Sequence, residues 1–202
     1  MGRYRAHRLG CSLLAVCVVA TVLRADDRAE VSRLTKDTAD ALTKVLRQKD
    51  LARAEKLEKV TRIVDPIFDY KSMAMLTLGR TNWKRLSQDE RKEFSDLFVK
   101  QLERAYFDKA EYLSDQVLQI DEPVSVKGKM HVATRVDADG KPMTVKYKYY
   151  KSSGGWMVYD VEVEGISLIS SYRSQYTQIL KDGTVADLLG AMRAKSNERP
   201  SE

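Results

Sequence analysis

Apolar positions along this chain recur with two different periods, and the period changes twice. From residue 27 to 48, Val31, Leu34, Thr38, Ala41, Leu42 and Val45 form a narrow stripe with charge on the opposite face, which predicts an amphipathic helix. A second helical pattern from Asp50 carries Leu57, Val60, Ile63, Val64 and Ile67, and Pro66 ends or restarts it. Asp69 is placed to cap a short helix holding Met73, Leu76 and Leu78 and stopped by Gly79, with Trp83 and Leu86 in the connector. Ser87-Gln-Asp-Glu90 is a capping box, in which the serine oxygen and the glutamate carboxylate each satisfy one orphan N–H. The helix that follows runs to Leu113, with Phe94, Leu97, Phe98, Leu102, Ala105, Tyr106 and Leu113 on one stripe. At 1.5 Å per residue it is roughly 39 Å long.

After Ser114 the period falls to two. Val117 to Ile120 reads as a short strand, and Val124 to Val136 as a longer one with Met130, Val132, Thr134 and Val136 on one face. Asp137 to Gly140 reads as a hairpin turn. Met143, Val145, Tyr147 and Tyr149 then alternate with Thr144, Lys146 and Lys148, and Ser152 to Gly155 turns the chain into a last strand from Trp156 to Val163. At Gly165 the pattern becomes helical again, with Ile169, Tyr172, Tyr176 and Ile179 on one face. Asp182-Gly183 ends that helix. Thr184 caps a short final one with Asp187 at the capping-box position, and residues 196–202 form a polar tail. Helices, then three or four antiparallel strands, then helices describe an α+β fold with helices on one face of a curved sheet. The two long apolar stripes are expected to face that sheet.

The first 25 residues are of another kind. Arg3, Arg5 and Arg8 precede an apolar run from Leu9 to Leu23, the layout of a secretory signal peptide. The run is short for a bilayer span of roughly 20 residues, although an uncleaved anchor shares this layout. Cleavage after Ala20 fits the small-residue rule better than cleavage after Ala25. Both cysteines, Cys11 and Cys17, lie inside this segment, and Leu14-Ala15-Val16 lacks the small residue expected before a lipidated cysteine. The exported chain then has no disulfide and is held by its core. The segment carries four arginines and no acid, so its removal takes the formal charge from +6 to +2. The basic balance therefore belongs to the leader and gives no argument for nucleic acid.

Catalytic chemistry finds few candidates. His131 is the one histidine beyond the leader, and it shares a strand face with Lys129 and Arg135. Nucleophilic triads are excluded unless His131 is the base, zinc or iron sites lack their several His or Cys ligands, and no glycine-rich phosphate loop is present. Asp160, Glu162 and Glu164 share a strand face opposite Tyr159, Val161 and Val163, and are expected on a solvated outer surface. What remains is apolar content in two helical stripes and a sheet face. Periodicity alone does not separate a packed core from the wall of a ligand cavity.

Val158-Tyr-Asp-Val-Glu-Val-Glu-Gly165-Ile-Ser-Leu168 followed by Tyr172-Arg-Ser-Gln175 resembles the hallmark of the MlaC-type family of periplasmic phospholipid-binding proteins, also called toluene-tolerance or ABC-transporter auxiliary proteins. A second block agrees in order and spacing: Phe68-Asp69, Met73, Leu78-Gly79, Trp83, Phe94, Phe98, Leu102 and Tyr106. The resemblance covers about residues 28 to 195. It implies a cone like that of nuclear transport factor 2, formed as one lipid-binding domain over 26–195 and enclosing an apolar cavity. It also implies a monomeric periplasmic carrier, without cofactor, metal or catalysis. Such a carrier holds a phospholipid by its acyl chains and shuttles it between an outer-membrane lipoprotein complex and an inner-membrane ABC transporter complex, which maintains outer-membrane lipid asymmetry. Another apolar cargo, such as a hopanoid or sterol, or a small enzyme on the same fold, is the alternative. The residues expected to line the cavity are Leu76, Phe94, Phe98, Leu102, Tyr106, Val145, Tyr147, Tyr149, Tyr159, Val161, Ile166, Leu168 and Tyr172. Arg173 is expected at its mouth, meeting a phosphate or pairing with an acid.

Overall fold

The computed structural model describes residues 13–138 and 140–197, with side chains from residue 26 to 196 except Ala138. The leader expected over 1–25 and the tail expected over 196–202 fall for the most part outside these. Helix α1 (Leu13–Leu46) is followed by α2 (Arg53–Val64), α3 (Tyr70–Leu78), α4 (Arg80–Arg85) and the long α5 (Gln88–Leu113). Six strands come next: β1 (Leu118–Ile120), β2 (Val124–Val126), β3 (Lys129–Ala138), β4 (Lys141–Ser152), β5 (Gly155–Val163) and β6 (Ile166–Ser167). Helices α6 (Leu168–Asp182) and α7 (Val185–Asn197) complete the α+β fold. Among the described residues, no helix is long and apolar enough to cross a membrane.

The local signals explain most boundaries. Ser87 and Glu90 form the expected capping box at α5. Asp69 accepts the Ser72 N–H at the start of α3, and Thr184 and Asp187 hold each other's backbone N–H at the start of α7. Such caps are worth about 1 kcal/mol each. Trp83, expected in a connector, lies instead in the short α4 and is buried.

The strands form one open antiparallel sheet in the order β1-β3-β4-β5-β6, with β2 also on β3. The strand expected over Val124–Val136 is two strands. Lys127 (φ 50°) and Gly128 (φ 78°) form a two-residue turn that pairs Val126 with Lys129, the left-handed geometry that matches strand twist. The bend at Gly165 is also a hairpin. Glu164 (φ 48°) and Gly165 (φ 78°) pair Val163 with Ile166, so β6 doubles back before Ser167 caps α6.

A bulge in β5 alters the expected alternation. Lys148 pairs with Asp160 and Tyr149 with Val158, leaving Tyr159 without an opposite residue. Beyond it the faces exchange. Trp156, Val158, Val161 and Val163 therefore pack with the inner cluster, while Tyr159 does not.

The core divides into two clusters. One joins the helices: Met73, Trp83, Phe94, Phe98, Tyr172, Tyr176, Leu188 and Met192 pack together. Here the stripes of α5 and α6 meet each other rather than the sheet. Phe94 and Tyr176 stand edge to face at 5.4 Å, as do Phe98 and Tyr172. The other cluster lies between α1 and the sheet, where Val31, Met130, Val132, Tyr149, Trp156, Val158, Val161 and Leu168 are buried. Thr35 of α1 and Tyr149 of β4 share a hydrogen bond of 2.9 Å across it. Phe68 and Leu102 pack against both clusters.

Candidate functional site

The seam between the two clusters is apolar but incompletely closed. Phe98, Leu102 and Tyr106 follow one another at four-residue intervals and so share one face of α5. Leu102 and Tyr106, half-buried, pack against the sheet-side cluster together with Leu34 of α1, Ile120 of β1, Val145 and Tyr147 of β4, and Val163 of β5. Inner positions of β4 grade from buried to half-buried along the strand: Tyr149 is 2% exposed, whereas Tyr147 and Val145 keep more surface. Cross-strand pairs Val132–Tyr147–Val161 and Thr134–Val145–Val163 continue this wall onto β3 and β5.

Tyr147 has two properties that together describe its place. Its side chain keeps accessible surface, yet burial pushes its phenol pKa up. Burial likewise raises the Tyr106 phenol, and burial with the nearby Tyr106 pushes Tyr172 up to about 12. These phenols stay neutral at any physiological pH.

The other residues expected to line a cavity occupy three kinds of position. Phe94, Phe98 and Tyr172 pack among the helices, and the two phenylalanines are fully buried. Leu76 packs against the same cluster from its edge. Tyr149, Val161 and Leu168 are buried in the sheet-side cluster. Two lie elsewhere. The β5 bulge carries Tyr159 to the outer face, against Tyr150, with the Lys129 ammonium 4.0 Å from its ring centre. Ile166, in the β6 hairpin, is 63% exposed. Arg173 is exposed and pairs with no acid among the described residues. Its guanidinium donates to the Leu76 carbonyl, at 2.9 Å from Nε, and ties the end of α3 to α6. Leu34, Ile120 and Val163 join the seam without having been singled out. Each was legible as an inward position of its element, but nothing local marked it as facing this space.

The outer face of β4 and β5 carries charge. Lys148 lies 2.9 Å from both Asp160 and Glu162, and Lys146 lies 2.6 Å from Glu162. Asp160 is not on a solvated surface, as its alternation suggests, but 5% exposed. It accepts from Lys148, from the Ser167 hydroxyl at 2.8 Å and from the Ile169 N–H at 3.3 Å. Hydrogen bonds from Lys146 and then Lys148 hold Glu162 down to about 2. Burial and the facing Lys148 lower the His131 pKa, so the imidazole is neutral at pH 7. Among the described residues, no cluster of ligating side chains suits a metal ion.

The Glu162 shift has a testable consequence. Its folded pKa lies below its ordinary 4.5, so its stabilising contribution is full above that value and lost as the pH falls towards about 2. Screening at the sheet surface keeps the contribution to about 1 kcal/mol. Glu162→Gln is expected to lower stability in urea by that amount at neutral pH and by progressively less on acidification. A difference independent of pH would contradict the ion-pair origin.

A phospholipid-binding protein from Ralstonia solanacearum, solved in complex with a phospholipid, is structurally similar to this chain. The two superimpose with a TM-score of 0.72 over 82% of this chain and 96% of that one, at 24% sequence identity. They share a fold of helices over an open antiparallel sheet. The MlaC protein family matches residues 36–194, a span from the last third of α1 to the last helix that takes in all but Val31 and Leu34 of the two clusters and the seam, and the chain belongs to that family.

Proposed function

We propose that this protein is a phospholipid carrier that holds acyl chains in the seam between α5 and the inner face of β4 and β5, with the headgroup near solvent. The observation that carries the reading is the run of half-buried residues Leu102, Tyr106, Val145, Tyr147 and Val163, which pack against the sheet-side cluster and keep part of their surface accessible. Membership in the MlaC family and the likeness to a protein solved with phospholipid support the choice of ligand. Each buried methylene is worth about 0.8 kcal/mol. An acyl chain therefore leaves a membrane at a useful rate only into an apolar container, and a container requires no reactive group.

In this reading the leader over 1–25 exports the chain to the periplasm, and residues 26–195 act as one lipid-binding domain. The carrier moves phospholipid between an outer-membrane lipoprotein complex and an inner-membrane ABC transporter complex, which keeps the outer membrane asymmetric. It acts as a monomer and is not an enzyme.

Native mass spectrometry of protein purified without added lipid tests the ligand. The expected spectrum contains adducts of phospholipid mass, which organic extraction releases as phosphorus-containing lipid. Adducts without phosphorus would identify another apolar cargo, and a lipid-free protein that takes up nothing from vesicles would end the carrier reading.

A further inference from the structure

Tyrosine hydroxyls divide into two groups in this fold. Those in closed packing have protein partners. Tyr149 shares a hydrogen bond with Thr35 and Tyr176 donates to Gln101 Oε1 at 2.7 Å, while Tyr150, on the outer face, donates to Asp69. Tyr106 and Tyr147, in the seam, and Tyr172, in the helical cluster next to it, have none among the described residues. Nor are their oxygens sealed off. Among the described residues, Trp156 Nε1 is the buried side-chain polar atom left without a partner. The three seam phenols therefore open onto accessible space. Tyr159 and Tyr70 differ in setting, the first on the outer face and the second close to the Asp65 and Glu103 carboxylates.

Tyr106 is near enough to Tyr172 to act on its phenol, and Tyr147 belongs to the group of residues that packs with Tyr106 against the sheet-side cluster. Tyr106 lies one helical repeat beyond Leu102 and two beyond Phe98, and Tyr172 packs edge to face on Phe98. Tyr147 projects from the sheet into the cluster against which Tyr106 and Leu102 pack. An otherwise apolar region thus holds three neutral donors with no acceptor among the described residues. Unpaired donors in such a place cost free energy unless a ligand or water accepts from them.

We propose that Tyr106, Tyr147 and Tyr172 donate to the ester oxygens of a bound acylglycerol lipid, so that the site selects ester-linked over ether-linked chains. This rests on the carrier reading above and specifies the chemistry of its ligand. An ester carbonyl is a neutral acceptor at the head of an acyl chain, and it enters an apolar wall without the cost of burying charge. A phosphate would need a cation, and the wall residues around these phenols (Leu34, Leu102, Ile120, Val145 and Val163) supply none.

The test compares two probes in competition from vesicles: a diacyl phosphatidylethanolamine and its dialkyl ether with the same headgroup and chain lengths. Loading is read by native mass spectrometry. The parent protein is expected to favour the ester by about tenfold, the range of one or two neutral hydrogen bonds. The triple variant Tyr106→Phe, Tyr147→Phe, Tyr172→Phe is expected to lose the preference and take both lipids alike. If the triple variant does not fold, Tyr147→Phe alone is expected to reduce the preference about threefold. Equal loading of both lipids by the parent, or a preference surviving the substitutions, would overturn the proposal. So would an equal loss of both lipids in the variant, which would place the phenols on the shared phosphate. A parent protein that loads neither lipid would refute the carrier reading itself.

Discussion

Asp160→Ala is expected to lower stability by about 3 kcal/mol, because it leaves a hydroxyl and a buried backbone N–H short of an acceptor and the half-buried Lys148 with Glu162 as its remaining carboxylate. The carboxylate is 5% exposed and accepts from Lys148, Ser167 and Ile169. Two of those donors begin α6. Ser167 is its N-cap and Ile169 lies in its first turn, so Asp160 fixes the helix to the strand that precedes it. Asp160→Asn keeps acceptor capacity and loses the charge, and its expected cost is about half as large. Urea unfolding of the two variants measures both. A solvated residue on an outer sheet face would change stability by no more than about 0.5 kcal/mol; a value in that range for Asp160→Ala would remove the structural role assigned here. Neither variant is expected to lose lipid binding beyond what its unfolded fraction explains.

Asp160 also illustrates what a single sequence conveys. Alternation placed it on the face opposite Val161 and Val163, and it is there. Alternation carries no information about what covers that face, and the covering groups come from the β6 hairpin, where Glu164 takes a positive φ that glutamate rarely adopts. The Lys127-Gly128 turn was hidden for the same reason, since a lysine at positive φ leaves no compositional mark and the alternation of Val124 to Val136 runs through it. The bulge at Tyr159 is the costliest of these silent features. One extra residue exchanged the faces of β5 and moved Tyr159 from the expected cavity wall to the outer surface beside Lys129. Caps were legible because their chemistry is local: Ser87 with Glu90, Asp69 with Ser72, Thr184 with Asp187. Helical stripes were legible as faces but not as partners. Phe94 and Phe98 could face a sheet or another helix with the same spacing, and they face α6. Of the expected site positions on α5 and β4, Leu102, Tyr106, Val145 and Tyr147 are half-buried against the sheet-side cluster, which is the placement their spacing predicts.

Val145→Trp is expected to reduce phospholipid loading by more than tenfold while leaving the protein folded. Val145 stands on the inner face of β4 between Thr134 and Val163, half-buried, where an indole can extend into the seam rather than into closed packing. Displacing as few as two chain methylenes costs the ligand about 1.6 kcal/mol, and 1.4 kcal/mol already amounts to a factor of ten. In a closed core the same enlargement would cost about 1–3 kcal/mol of stability instead. The two outcomes separate a ligand wall from ordinary packing. Ile166→Asp supplies the contrast, since Ile166 is 63% exposed in the hairpin and a carboxylate there meets water; loading is expected to be unchanged. Phe98→Ala, in the sealed helical cluster, is expected to cost about 3–5 kcal/mol of stability. Lipid loading and urea unfolding of the three variants decide the matter. Normal loading by Val145→Trp together with a loss in Ile166→Asp would place the ligand outside the seam, whereas lipid lost only from Val145→Trp assigns the acyl chains to the inner face of the sheet.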